Sequence, residues 1–366
     1  MRVLHLPHNI GGQASGLAKA ESAKGILSRC VVIQASRFAY PDEWVYREGW
    51  RRQTGQVGAR LYFFFLCIFC ADVIHFNFGE KIFPFGVSPF KKGESIVRSL
   101  ARLIAAGVSK TLGSFDLWLL KKLGKKIFVS FQGDDVRQGD FCRENFPIHF
   151  AHHVGKDYYD AASDARKRRQ VRIWDRYADR IFYLNPDLKW VLPERSEFLA
   201  YASVDARQFQ TTLIKSACPV VIHAPSHRLV KGSGFIEDAV IALRKKNLNF
   251  EFQLLENLPF ETARLSYRRA DVVVDQLLAG WYGAFAVEAM AMGKPVIAYI
   301  READLVNIPF EMAAELPIIN ATPETIEDVL QWAITNPDRL REIGIASRKF
   351  VEKWHDPTQI SKRTLS

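Results

Sequence analysis

The sequence predicts an α/β protein built as two doubly wound domains that face each other. Three observations carry this. Short apolar, β-branched runs alternate with helix-forming segments along the whole chain. Several of these runs empty into polar loops containing glycine, which places their ends along one edge of a parallel sheet. The chain has 366 residues, long for a single core. Apolar residues make up 48% and charged residues 25%, a globular balance that excludes a disordered chain.

Arg2–Leu6 reads as the first strand, and His8-Asn-Ile-Gly-Gly-Gln-Ala-Ser15 as a glycine loop entering a helix that ends near Ser28. Cys30–Ala35 is the next strand. Gly11, Gly12 and Gly16 lack the spacing of a dinucleotide fingerprint, so close approach of the backbone to a ligand is their expected use. Pro41–Tyr62 is an aromatic, basic loop entering a helix. The apolar run Leu61–Cys70 is about half what a membrane-spanning helix needs. Asp72–Gly79 is a strand ending in polar residues, Ser95–Val108 an amphipathic segment and Asp116–Leu123 a short helix. The strand Lys126–Phe131 empties into Gln132-Gly-Asp-Asp-Val-Arg137. A charged helix over Gly155–Arg180, strands Arg180–Leu184 and Glu197–Ala200, and a linker over Asp205–Ala217 complete the first half.

The second half opens with strand Pro219–His223 and the basic loop Pro225–Gly232. Helix Ser233–Lys246 follows, with Ile236, Val240 and Leu243 at the spacing of a sheet-facing stripe. After strand Asn249–Leu255 and helix Pro259–Arg269 comes the most informative stretch, Asp271–Ile300. A buried strand, Asp271–Val274, runs into the turn Gly280-Trp281-Tyr282-Gly283; helix Ala284–Met292 follows, Gly293 stops it, and Pro295–Ile300 is a second strand. A glycine turn into a helix N-terminus offers backbone N–H groups to an anion. Glu288, about one and a half turns into that helix, is placed to reach the ribose of a nucleotide whose phosphates sit on the turn. An acidic helix, Thr322–Thr335, and a last helix from Pro337 end the chain. The expected domains are 1–208 and 209–345, with 346–366 a C-terminal helix packing back on the first.

The net charge of +10 calls for an anionic partner. No nucleic-acid recognition motif is present, so nucleotide phosphates or an acidic membrane surface are expected instead. Five cysteines without framework spacing imply a reducing compartment, and the N-terminus lacks the features of a signal peptide; the expected location is the cytoplasm. Cys67 and Cys70 read as core cysteines, Arg166–Arg169 as a solvated helix face, and Cys142 with His149, His152 and His153 as loop chemistry without zinc spacing. No metal and no cofactor are expected.

Glu288-Ala-Met-Ala-Met-Gly-Lys-Pro-Val296 resembles the signature of the GT-B glycosyltransferases, in particular the retaining family 4 (group 1) type. Its hallmark is a Glu, seven residues and a second Glu followed by Ala-Met-Ala-x-Gly-x-Pro-Val. Lys231-Gly232, the Gly11-Gly12 loop, Asp72-Val-Ile-His75 and Val204-Asp205 also match, so the resemblance covers nearly the whole chain. It implies two doubly wound Rossmann-like domains facing across a cleft, with a nucleotide-sugar donor in the C-terminal domain. A glycan or lipid-linked acceptor would lie against the N-terminal loops. Glu288 would bind donor ribose, Gly283 with its neighbours Gly280, Trp281 and Tyr282 would hold the diphosphate, and Arg228 and Lys231 would neutralise it without a metal. Trp281 and Tyr282 serve either there or in packing.

Gly11, Gly12 and Gln132 are the expected acceptor or phosphate loops. Asp134, at the cleft edge, and His75, at the end of a strand, are the catalytic candidates; the alternatives are a cap for Asp134 and a structural role for His75. The pattern departs at two positions. Gly280 stands where the hallmark has its first Glu, and Gln132 where many relatives carry His. A sugar-nucleotide 2-epimerase of the same fold and a non-catalytic nucleotide-sugar binding subunit are the alternative functions. The segment Phe83–Lys92 is expected to touch an anionic membrane, which would make the protein peripheral on its inner face.

Overall fold

A computed structural model describes residues 1–33, 44–45, 54–83, 113–212, 218–256 and 260–366. The expected segment Ser95–Val108, and Phe83–Lys92 beyond its first residue, lie outside them.

The first half contains β1 (Arg2–Leu6), α1 (Gln13–Ser22), β2 (Leu27–Val32), β3 (Trp44–Val45), α2 (Thr54–Cys70) and β4 (Val73–Asn77). It continues with α3 (Phe115–Lys122), β5 (Lys126–Phe131), α4 (Gly139–Asn145), α5 (Ala161–Tyr177), β6 (Arg180–Tyr183) and β7 (Glu197–Phe198). Its strands pair in the order β3-β2-β1-β4-β5-β6-β7, all parallel. The second half contains β8 (Val220–His223), α6 (Arg228–Lys231), α7 (Ser233–Lys245), β9 (Glu251–Leu254), α8 (Phe260–Tyr267), β10 (Val272–Val274) and α9 (Ala284–Ala291). Then come β11 (Val296–Ala298), α10 (Phe310–Ala314), β12 (Ile319–Asn320), α11 (Ile326–Thr335), α12 (Pro337–Trp354) and α13 (Pro357–Leu365). This sheet has the order β12-β11-β10-β8-β9, again parallel. Both are doubly wound, and each reverses direction once, between β1 and β4 and between β8 and β10.

The central strands are buried along their length, as parallel strands covered by helices on both faces must be: β4, β10 and β11 expose no residue. Several elements differ from the sequence expectation for local reasons. Helix α1 stops at Ser22, because Gly25 takes a left-handed conformation and the chain turns into β2 by Leu27. Helix α5 begins only at Ala161, where Asp160 and Ser163 form a reciprocal capping box. The last helix divides: α12 ends at Trp354, and Pro357 opens α13 in the first helical turn, where a missing N–H costs nothing. Helix α13 lies against α1, where the Lys24 ammonium donates to Ser361 Oγ at 2.8 Å and to the Thr358 carbonyl. One apolar cluster joins the halves, running from Val3 and Leu17 through Trp281, Tyr282 and Met290 to Phe350 and Ile360.

Three minor expectations change. Cys67 is buried but Cys70 is exposed; Cys142 is buried rather than on the surface. Lys167 is not solvated: its ammonium sits 4.4 Å from the Tyr159 ring centre and donates to the Arg137 carbonyl at 2.5 Å. No helix among the described residues is long and apolar enough to cross a membrane.

Four of the buried histidines, His75, His149, His223 and His355, lie where burial disfavours the charged ring. Burial lowers the pKa of each, to about 4 for His223 and His355, to about 2 for His149 and well below the ordinary value for His75. The unfolded chain takes up these protons near pH 6.5 and the folded chain only at lower pH, so stability is lost as pH falls from about 6.5 through about 4. Asp135, pushed up to about 7 by burial, and Asp304, also raised by burial, act in the opposite sense but are fewer than the histidines. The urea midpoint is therefore expected to fall steadily between about pH 7 and about pH 4.5. A midpoint that stays level or rises would contradict it.

Candidate functional site

The loops that follow β1, β5, β8 and β10 leave the carboxyl ends of the two sheets, where open α/β folds collect ligands. After β1, Gly11 and Gly12 both adopt left-handed conformations, φ 61° and 74°. A Cβ on Gly11 would lie 3.7 Å from Cβ of Ala284, the first residue of α9. The start of α1 and the start of α9 thus lie against each other, one from each half. Gly16 has a different use from that expected of it. A Cβ there would come within 2.1 Å of the Ala202 carbonyl oxygen, so its close approach is to the chain itself.

At α9 the N–H of Gly283 donates to Asp275 Oδ2 at 2.6 Å. Asp275 follows β10, its side chain is buried, and its Oδ1 accepts from the Lys231 ammonium at 2.7 Å. Lys231 also donates to Gln276 Oε1 at 2.6 Å. The anion that a helix N-terminus attracts is therefore supplied by the chain, and Lys231 neutralises that anion. Arg228 does not join Lys231: it pairs at the surface with Glu237 and, at 3.2 Å, with Glu256. Sequence reading missed Asp275, although its position directly after a buried strand, five residues before the glycine turn, was the available signal.

A cavity of about 420 Å³ opens beside the two helix starts. Gly12, Ser15 and Lys19 line it from one half and Arg264 and Glu288 from the other, with Asp205 between. Glu288 and the Gly12 loop thus share one space.

Solved structures share this fold. The chain superposes on sucrose-phosphate synthase from Thermosynechococcus elongatus with a TM-score of 0.58 at 12% identity, covering 100% of this chain and 97% of that one. The Anabaena protein HepE in complex with UDP-glucose gives 0.56 at 12% identity over 99% and 97%. The catalytic domain of starch synthase IV from Arabidopsis thaliana, bound to ADP and acarbose, gives 0.53 at 12% identity over 100% and 98%. The fold is GT-B. Neither a known family nor a curated protein matches the chain by sequence.

At Gly280, where the signature the chain resembles has its first Glu, the space is filled from elsewhere. Gly280 has φ 76°, and a Cβ on it would meet the Arg301 guanidinium at 2.7 to 3.0 Å. Arg301 pairs with Asp304 at 2.7 Å, donates to the Ile148 carbonyl at 3.0 Å, and lies 3.8 Å from the Phe146 ring centre. Arg301 was not expected from the sequence. The missing side chain at Gly280 implied that a neighbour fills the space, but not which one.

Trp281 and Tyr282 are packing residues. Both are buried, Trp281 lies edge-on to Phe198, and the Tyr282 hydroxyl bonds His355 Nε2 at 2.9 Å. His75 is corrected outright from catalytic candidate to core residue. It is 1% exposed, shares a 2.7 Å hydrogen bond with Ser130 Oγ, and packs among His5, Phe128 and Phe182. It stands two residues before the end of β4, too deep to reach the cleft.

Asp134 lies at the cleft edge, about a third exposed at 31%, and accepts from the hydroxyls of Tyr158 and Tyr159. Asp135 is the loop's internal cap, taking the N–H groups of Gln132 at 3.1 Å and Gly133 at 2.7 Å. The Gln132 carbonyl accepts from Asn185 Nδ2 at 2.5 Å. Arg137 is held by Asp187 through two hydrogen bonds of 2.6 and 3.0 Å. The loop after β5 is thereby fixed.

Removing Asp275 leaves a nearly buried ammonium without its counter-charge and the Gly283 N–H without its acceptor. Asp275→Ala is expected to cost about 3–5 kcal/mol in urea denaturation, and Asp275→Asn, which retains an acceptor, less. A loss below about 1 kcal/mol for the alanine variant would show that this pair does not hold the turn.

Proposed function

We propose that this chain is a glycosyltransferase that moves a sugar from a nucleotide-sugar donor to an acceptor hydroxyl. The observation that carries the proposal is the meeting of two glycine-led helix starts beside a cavity that Glu288 and Gly12 both line. Backbone N–H groups and the positive ends of two helices suit a diphosphate, and a carboxylate further along α9 suits ribose hydroxyls. The complexes of HepE with UDP-glucose and of starch synthase IV with ADP are consistent with such a ligand in this fold.

In the proposed reaction the donor's diphosphate lies between the Gly11-Gly12 loop and Gly283. The Lys231 ammonium has three N–H groups, of which Asp275 and Gln276 take two and the third serves the leaving phosphate. The family resemblance supports a retaining outcome, in which the leaving phosphate accepts the acceptor's proton on the same face. The protein then contributes geometry and electrostatics rather than a strong base. Asp134, fixed by two tyrosines at the cleft edge, faces the acceptor side. The acceptor is a glycan or lipid-linked glycan in surface polysaccharide synthesis, and the protein works in the cytoplasm at an anionic membrane. One observation favours a second reading, a non-catalytic nucleotide-sugar binding subunit: Arg301 fills the place of the hallmark carboxylate.

A thermal-shift screen against UDP-, GDP- and ADP-sugars tests the binding site. One nucleotide class is expected to raise the melting temperature by several degrees, since ligand at about a hundredfold its Kd adds about 2.7 kcal/mol. Glu288→Ala should lose most of that shift. Equal stabilisation of wild type and variant, or no response to any nucleotide, would remove the proposed site. Release of nucleoside diphosphate on addition of acceptor separates the transferase from the binding subunit.

A further inference from the structure

The outward face of α2 carries no charge after Arg60. Leu61, Tyr62, Phe65 and Phe69 are exposed along it, where a helix facing water would carry polar side chains. The rings continue across the neighbouring helix. Phe65 and Phe69 stack at 6.3 Å, Phe64 lies 6.4 Å from both Phe65 and Phe115, and Phe115 stacks on Trp118 at 5.8 Å. Phe69 is 69% exposed and Trp118 45%. The exposed rings form two patches on adjacent helices, joined beneath the surface by buried Phe64, and together they exceed scattered surface apolar residues.

Cations border the patches. Arg2 donates to the Phe69 carbonyl at 3.1 Å, and Lys125 to the Ala71 carbonyl at 2.6 Å. Lys121 and Lys122 end α3, exposed Leu123 follows, and the Lys126 side chain is 67% exposed. Asp72 and Asp179 are the carboxylates among these cations; Asp72 pairs with Arg2, and Asp179 with Lys121 at 2.7 Å and with Lys126 at 4.0 Å. The border keeps an excess of positive charge.

Aromatic rings beside lysine and arginine match the boundary of an anionic bilayer, with rings at the acyl surface and cations on the phosphates. A second copy fits less well, because a two-fold contact through this face would set its own cations against each other. We propose that the outer face of α2 and α3 is the surface by which this protein lies on an anionic membrane. This names the surface for the membrane partner of the proposed function and rests on that reading. It places the contact on helices flanking the segment Phe83–Lys92 rather than on that segment.

Flotation of the full chain tests it, with vesicles of phosphatidylcholine alone or mixed with phosphatidylglycerol. Wild type is expected to float with the anionic vesicles, and added salt to weaken it. Phe65→Glu with Phe69→Glu should reduce flotation by about tenfold or more, and Lys122→Glu with Lys126→Glu severalfold. All four positions are exposed, so melting temperature and nucleotide response should stay at wild-type values. Absence of wild-type flotation, or unchanged flotation of the phenylalanine variant, overturns the proposal. So does a dimer in light scattering that this variant dissociates while vesicles go unbound, which would identify a second copy as the occupant. Lost flotation with an intact nucleotide shift removes the membrane surface alone; the reverse result removes the donor site alone.

Discussion

The positive ends of two helices, one from each half, lie against each other, and the cleft depends on how they are satisfied. At α1 the solution is neutral: Asn9 Oδ1 accepts the Ser15 N–H at 3.1 Å. At α9 it is charged, since the Gly283 N–H goes to the buried carboxylate of Asp275. A buried carboxylate is tolerable only with a counter-charge and further hydrogen bonds, and Lys231 supplies the first while Gly283 supplies the second. The strand end, the basic loop and the glycine turn are therefore one electrostatic unit. Fixing any of them fixes the others.

The same logic holds the two halves together at the far side of the turn. Arg301 belongs to the second half, yet it donates to the Ile148 carbonyl of the first and stacks on Phe146. Asp304, its partner, also accepts from Trp190 at 2.8 Å, and the Phe150 N–H donates to the Leu278 carbonyl at 3.1 Å. Gly280 lies in the middle of this contact because nothing larger fits beside the guanidinium. The departure from the hallmark is thus part of an interdomain contact, and a Glu could not be restored at 280 without moving Arg301.

The sheet was largely legible in the sequence, for a physical reason. Parallel strands buried on both faces give unbroken runs such as Val272-Val273-Val274, and those runs cannot be placed elsewhere. Element ends were less legible because they depend on single conformations, as with Gly25 after α1, or on caps such as Asp160. Of the expected site residues, Glu288 and Gly12 line one cavity, and Lys231 is tied to Asp275. His75 could not be placed from the sequence: its depth along β4, two residues before the strand's end, decides between cleft and core, and both faces of that strand are buried. Asp275 was signalled only by its place after a buried strand; its pairing with Lys231, and the contact of Arg301 with Ile148, span distances in the chain that no local pattern reports.

The resident carboxylate also shapes what a ligand must do. If the donor's phosphate had to expel Asp275, it would leave a buried charge without partners, a cost of several kcal/mol. The geometry offers a cheaper course. In the proposed function Lys231 keeps both acceptors from its own chain, and a phosphate would share the ammonium with Asp275 instead of displacing it. The pair is then close to neutral before the ligand arrives, and Lys231 alone attracts a diphosphate weakly. In the proposed function, affinity would therefore rest on the other N–H groups of the two helix starts and on Glu288, since the Gly283 N–H is already taken by Asp275. That is why the site is better described by its two facing helix starts than by its cations.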